Sequence, residues 1–120
     1  MTLNLDTHIF LDAILGNLKS HERSLLKRHR WGISSIVLWE IEKLSQKKQI
    51  TLTLDSADLV KVLEEVQVWD LSREICLTLR QLDFKSDPAD ELIAATSIVH
   101  RAPLVTRDSR ILSSRIVPFA

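Results

Sequence analysis

Residues 87–111, DPADELIAATSIVHRAPLVTRDSRI, decide the fold. Asp87 followed by Pro88 is a helix start: an acceptor side chain precedes a residue whose missing N–H costs nothing in the first turn. From Asp90, the residues Ile93, Ala94 and Ser97 continue along roughly one face, which predicts a helix to about His100. The small Ala94 and Ala95 suit close packing of that helix on a sheet. Pro103–Thr106 then reads as a short apolar strand. Asp108 lies beyond its carboxyl end, with Arg107 as the one linking residue.

The same alternation runs back to the amino terminus. Residues 2–5 (TLNL) read as a strand. Asp6 follows, and residues 7–15 carry Ile9, Phe10, Ala13 and Ile14 at helical spacing, with Gly16 as a stop. Ser20 is expected to cap a second helix through about residue 29. Residues 31–34 read as a strand, and Ser34 or Ser35 caps a helix bearing Val37, Leu38, Ile41 and Leu44. Residues 50–54 read as a connector. Asp55 or Ser56 caps the next helix, residues 67–70 form a third strand, and Ser72 caps the helix of Ile75, Leu79 and Leu82. A short helix and a last strand, Arg115–Pro118, complete the pattern.

Strands separated by helices imply parallel pairing and right-handed crossovers. The expectation is a single domain over residues 1–120: an α/β chain, folded as a three-layer α/β/α sandwich around a parallel sheet of four to five short strands. In such sheets ligands gather beyond the carboxyl ends of the strands, at the topological switch point. If the first and fourth strands adjoin there, Asp6 and Asp108 face one crevice.

Bulk properties narrow the function classes. The 120 residues suit one compact domain, and no apolar stretch is long enough to span a bilayer. MTLNLD carries no cationic region followed by an apolar core, and the single Cys76 allows no internal disulfide, so a reducing cytoplasm is expected. Lys plus Arg equals Asp plus Glu at 16 each, which argues against a protein that holds nucleic acid mainly by a large positive field. Two basic clusters remain, Lys19–Arg30 and Lys43, Lys47 and Lys48. Each is a solvated helix face or a phosphate-contacting rim.

Four acids stand where strand turns into helix or just beyond: Asp6, Glu40, Asp90 and Asp108. A lone carboxylate at the end of an apolar run is expensive. Each also has a structural reading. Asp6 and Asp108 suit helix caps, Glu40 an exposed helical glutamate like Glu42, and Asp90 a complement to the helix dipole beside the capping Asp87. As a set they contain only hard oxygen donors, with no His or Cys at ligand spacing, which favours Mg²⁺ or Mn²⁺ over zinc. Such an ion takes a few carboxylates and a substrate phosphate. Thr7 and Thr106 could bond phosphate or orient water, or serve as cap and strand edge.

These segments resemble the PIN-domain ribonucleases, especially the VapC-type toxins of toxin–antitoxin pairs. LNLDTHIFLDAIL is similar to their opening strand and first acid, SSIVLWEIEKL to the segment with their glutamate, and DPADELIAATSIVHRAPLVTRDSRI to their Asp-x-x-Ile-Ala-Ala helix and Val-Thr-x-Asp turn. The resemblance covers essentially the whole chain. It implies that Asp6, Glu40, Asp90 and Asp108 are metal-site carboxylates of an Mg²⁺- or Mn²⁺-dependent endoribonuclease that leaves a 5′-phosphate and a 3′-hydroxyl. It also implies a homodimer, inhibited by a small antitoxin that inserts a segment near the site. One departure is Lys85-Ser86, where many relatives have His-Arg before the Asp-Pro.

Two other readings compete. A catalytically silent module would use the same fold to bind RNA or protein. A phosphatase or receiver domain is disfavoured, because His8 stands where the former needs a second aspartate and Pro118-Phe119 follows the last strand without the latter's lysine. Trp31, Trp39 and Trp69 adjoin apolar elements, so core or interface packing is expected ahead of base stacking, with Trp39 the one to watch at a dimer or antitoxin surface. The four histidines read as surface or capping residues.

Overall fold

The computed structural model describes residues 1–120. In chain order the elements are β1 (Thr2–Leu5), α1 (Thr7–Leu15), α2 (Ser20–Lys27), β2 (Arg30–Ser34), α3 (Ser35–Gln46), α4 (Ala57–Leu63), β3 (Gln67–Trp69), α5 (Arg73–Thr78) with a 3₁₀ turn at Leu79–Gln81, α6 (Pro88–His100), β4 (Leu104–Val105) and α7 (Ser109–Leu112). All strand pairs are parallel, in the order β3-β2-β1-β4. The chain builds outward from β1 through β2 to β3, then returns to lay β4 on the opposite side of β1. The switch point therefore lies between β1 and β4, the adjacency that the sequence left conditional.

β1 is central, so its residues are covered on both faces. Leu3, Asn4 and Leu5 are all buried, as expected of a parallel strand between two helical layers. They join Ile33 of β2 and Leu104 and Val105 of β4 in one core with Ile9, Phe10, Val37, Ile41 and Ile93 from the helices. Complete burial of a side chain such as Phe10 or Ile93 contributes about 1.5–3 kcal/mol. Helix α6 packs against β1, β2, α3 and α5, which its buried Ala94 and Ala95 permit. Asn4, the polar residue of β1, donates to the Ile93 carbonyl at 3.0 Å and to Ser97 Oγ at 2.8 Å. It ties the strand that ends at Asp6 to the helix that begins near Asp90.

Several boundaries differ from the sequence reading. Helix α2 ends at Lys27, and its start is satisfied by the Glu22 carboxylate, which accepts the Lys19 N–H at 2.9 Å, in place of Ser20. Ser56 holds the cap position of α4 without a capping bond, because its hydroxyl donates to the Thr53 carbonyl. Ser34 and Ser72 cap α3 and α5 as expected, and residues 50–54 form no strand. The expected strand Arg115–Pro118 does not form. Asp83 accepts from Ser114 Oγ and from the Arg115 N–H, and Ser114 Oγ in turn accepts the N–H groups of Ile116 and Val117. That knot bends residues 114–117 away from an extended path. The chain reaches β4 only afterwards, through a single bridge between Leu104 and Phe119.

The tryptophans divide. Trp31 donates to the Leu26 carbonyl, and Trp69 stacks on His100 with ring centroids 5.3 Å apart. Trp39, the one singled out for a dimer or antitoxin surface, is 54% exposed.

Candidate active site

A cleft of about 400 Å³ opens at the carboxyl ends of β1 and β4 and is lined by Asp6, Thr7, Glu40, Asp87, Asp90 and Asp108, with His8 and Arg107 at its walls. The four acids singled out from the sequence, drawn from four distant segments, share this one cleft. Asp6 arrives on the last turn of chain after β1, Glu40 from the second turn of α3, Asp90 from the first turn of α6 and Asp108 from the turn after β4.

Each carboxylate is held by a neighbour. Asp6 is buried; its Oδ1 accepts the Ile9 N–H at 2.9 Å, and its Oδ2 accepts the Thr106 hydroxyl at 2.5 Å. Thr7 donates its hydroxyl to Glu40 Oε1 at 2.5 Å. Ser86 donates to Asp90 Oδ2 at 2.9 Å. Asp108 Oδ1 accepts the N–H groups of Arg110 and Ile111, capping α7, while its own N–H is bonded to Thr106 Oγ1 at 3.0 Å. The structural and functional readings of Asp6 and Asp108 are therefore compatible: each spends one oxygen on a helix start and still faces the cleft. Thr7 and Thr106 hold the carboxylates themselves.

Three of these acids are harder to ionise than usual. Burial raises Asp6, opposed by the Thr106 and Ile9 bonds and reinforced by the charge of Asp90. Burial likewise raises Glu40, opposed by Thr7 and reinforced by Asp90 and Asp6. Asp90 is raised by burial, opposed by Ser86, and pushed further by Asp108 and Asp87. The like charges that raise each acid are the other carboxylates lining the same cleft.

Asp87 corrects the sequence reading. It occupies the cap position of α6, yet its side chain makes no capping bond. It is exposed and turned to the cleft rim. The Glu91 carboxylate bonds the Ser86 N–H at 3.1 Å instead. Four contributors were given no site role in the sequence reading: Arg107, Glu22, Asp12 and Ser86. Arg107 binds the buried Glu22 through Nε at 2.8 Å and Nη2 at 2.6 Å, and Asp12 through Nη1 at 2.7 Å. This pins the turn that carries Thr106 and Asp108. Glu22 was visible as the one acid in a basic stretch, but nothing in linear order links it to Arg107, 85 positions away. Ser86, noted only as a departure from the usual His-Arg pair, touches Asp90 directly. The rest of the basic stretch is mainly solvated, with Arg23 and Arg28 bonded to carbonyls of their own segment.

The donor set fits a hard divalent cation: five carboxylates in one cleft, no sulfur ligand, and one guanidinium already committed to Glu22 and Asp12. In the present side-chain positions no three acidic or histidine side chains stand at chelating spacing.

Residues 4–115 match the PIN domain family. The chain is 33% identical over 87 residues to "Ribonuclease VapC22" of Mycobacterium tuberculosis, an overlap of 70% of this chain and 67% of that protein. Among solved structures it is similar to a VapBC2 complex from Rickettsia felis bound to a promoter DNA fragment (TM-score 0.77, 24% identity, 100% and 98% of the two chains covered). It is also similar to a toxin–antitoxin complex from Klebsiella pneumoniae (TM-score 0.72, 22% identity, 98% and 96% covered). The structural likeness extends the fold over the full length, and the match across residues 4–115 spans every acid of the cleft. The chain belongs to the PIN domain family.

Proposed function

We propose that this chain is a divalent-metal-dependent endoribonuclease and the toxin of a toxin–antitoxin pair. The convergence of Asp6, Glu40, Asp90 and Asp108 on one cleft at the switch point of a PIN-domain sheet carries the reading. A ribonuclease among the similar proteins supports RNA as substrate. The cleft as it stands would repel an RNA backbone, since five acids face it and Arg107 is neutralised by its own partners. A cation is what allows phosphate to enter.

Asp6, Asp90, Asp108 and Glu40 would hold Mg²⁺ or Mn²⁺. When bound, such an ion polarises the phosphodiester and activates water for in-line attack. The chain's own residues supply the preorganisation. Thr106 and the Ile9 N–H fix the orientation of the Asp6 carboxylate. Thr7 fixes Glu40, and Ser86 fixes Asp90. Asp108 is held by the amino end of α7. Each carboxylate keeps at least one lone pair for a ligand.

The test is cleavage of labelled single-stranded RNA by the purified chain with Mg²⁺, Mn²⁺ or EDTA. Metal-dependent products with 5′-phosphate ends are expected, abolished in Asp90→Asn. Cleavage that survives EDTA, or is undiminished in Asp90→Asn, would refute the metal mechanism. The lining of one cleft by all four acids favours the catalytic reading over the silent module.

Solved structures similar to this chain include toxin–antitoxin complexes, which supports a small antitoxin as partner here. A homodimer is part of the same proposal. A small reading frame adjoining this one is expected, and its co-expression should relieve growth arrest caused by this chain; arrest unrelieved by it would count against the pairing. No helix is long and apolar enough to cross a membrane.

A further inference from the structure

A second groove, of about 470 Å³, runs from the cleft along α3. Trp39, Lys43, Lys47 and Pro88 line it, and it shares Glu40 and Asp87 with the carboxylate cleft. Its size is within the range of small-ligand sites. Trp39, Lys43 and Lys47 recur every fourth residue, so they form one stripe along α3 and its end, leading away from Glu40. Trp39 is 54% exposed, and neither lysine is engaged in an ion pair. The carboxylate cleft shows the opposite character: its one guanidinium is committed and five acids line it.

We propose that this groove is a nucleotide subsite. One unpaired base next to the scissile phosphate stacks on the Trp39 indole, and Lys43 and Lys47 take the flanking phosphates. The assignment rests on the RNA-cleaving reading of the adjoining cleft. The occupant follows from charge and continuity. A chain threading out of an acidic, metal-dependent centre meets an aromatic face first and two cations next, the combination that binds single strands without reading their sequence. A folded protein partner would not require the lysines at that spacing. A duplex would not present an unstacked base to Trp39.

Binding of a fluorescent single-stranded oligoribonucleotide, followed by anisotropy on the wild-type carboxylate set with Ca²⁺ in place of Mn²⁺ so that the cleft is neutralised without turnover, tests the subsite independently of cleavage. Adding Trp39→Ala should weaken binding tenfold or more, and Trp39→Phe should restore most of it. Lys43→Ala with Lys47→Ala should flatten the salt dependence of the Kd. Equal affinity in Trp39→Ala would overturn the subsite, even if the wild-type chain cleaves RNA. Weakened binding that coincides with loss of a dimer in sedimentation would also overturn it, because Trp39 would then be an interface between copies. RNA bound through Trp39 but never cleaved would sustain the subsite and refute the nuclease reading. No binding in any variant would refute both.

Discussion

Thr106 donates its hydroxyl to Asp6 Oδ2 at 2.5 Å, joining two residues 100 positions apart across the β1–β4 switch point. Thr106 Oγ1 also accepts the Asp108 N–H. One side chain thus orients the acid of the first strand and the turn that carries the last acid. Thr106→Val should raise the Asp6 pKa further, since burial already raises it and the Thr106 bond is the largest opposing influence. On the proposed mechanism activity needs the carboxylate, so the acid limb of the kcat/KM profile should move to higher pH by about one unit, the worth of a hydrogen bond to a charged group. Thr106→Ser should leave it in place. An unmoved limb in the valine variant would show that Asp6 does not depend on this donor.

The cleft stores repulsion, and its pH dependence follows. Asp6, Glu40 and Asp90 all have raised folded-state pKa values. Their contribution to stability is fully present below the ordinary values, 3.8 for Asp and 4.5 for Glu, and is lost as pH rises through the raised ones. In EDTA the Tm should therefore fall as pH climbs out of that window. Mn²⁺ at a hundred times its Kd should add about 2.7 kcal/mol and abolish the fall. A Tm in EDTA that rises steadily over this range would contradict the raised values.

Asp90→Asn separates function from stability. Asp90 faces Asp6, Glu40, Asp87 and Asp108. Its neutral isostere removes repulsion while keeping an acceptor for Ser86. The metal-free variant should melt no lower than wild type, cleave RNA slower by on the order of a hundredfold or more, and lose the Mn²⁺-induced rise in Tm. Asp87→Asn, at the rim, should be far milder. Equal losses in both would make Asp87 a ligand.

What the sequence disclosed and what it hid divide along a physical line. Strand ends and helix starts are local, so Asp6, Glu40, Asp90 and Asp108 were legible as acids at junctions. Choosing Asp90 over Asp87 required the family pattern, because both suit the first turn of a helix. In the structure both line the cleft, Asp90 accepting from Ser86 and Asp87 making no capping bond. The last strand failed because a side chain 31 positions away, Asp83, competes for its start. Arg107 was hidden for the same reason. Its partners are tertiary, and linear order shows only a cation between a threonine and an aspartate.

Gly32→Ala probes the packing under the third strand. A Cβ there would stand 2.4 Å from the Trp69 ring, which is itself stacked on His100. The ring must shift and the stack must open. Destabilisation of about 1–3 kcal/mol is expected, with partial recovery when Trp69→Leu is added. A neutral Gly32→Ala would mean that the Trp69 ring moves aside without cost.

Arg107 lines the cleft and invites a phosphate-binding reading, but its geometry assigns it a positioning role. Its guanidinium clasps Glu22 through two bonds and Asp12 through a third. The Arg107 hydrogen bonds hold the Glu22 carboxyl down at about 2, while burial and the Lys19 N–H act in opposite directions on it. A depressed carboxylate contributes stability above its ordinary 4.5, lost as pH falls toward 2. Arg107→Ala leaves Glu22, 4% exposed, without its cation. Breaking such a pair can cost 3–5 kcal/mol; with Arg107 a third exposed, about 2 kcal/mol is the expectation. Glu22→Gln in the same chain should recover part of the Tm. Were Arg107 a phosphate ligand, that second change would restore stability but leave RNA affinity low. As a positioning residue, Arg107 should give a double variant in which stability, KM and the pH profile recover together.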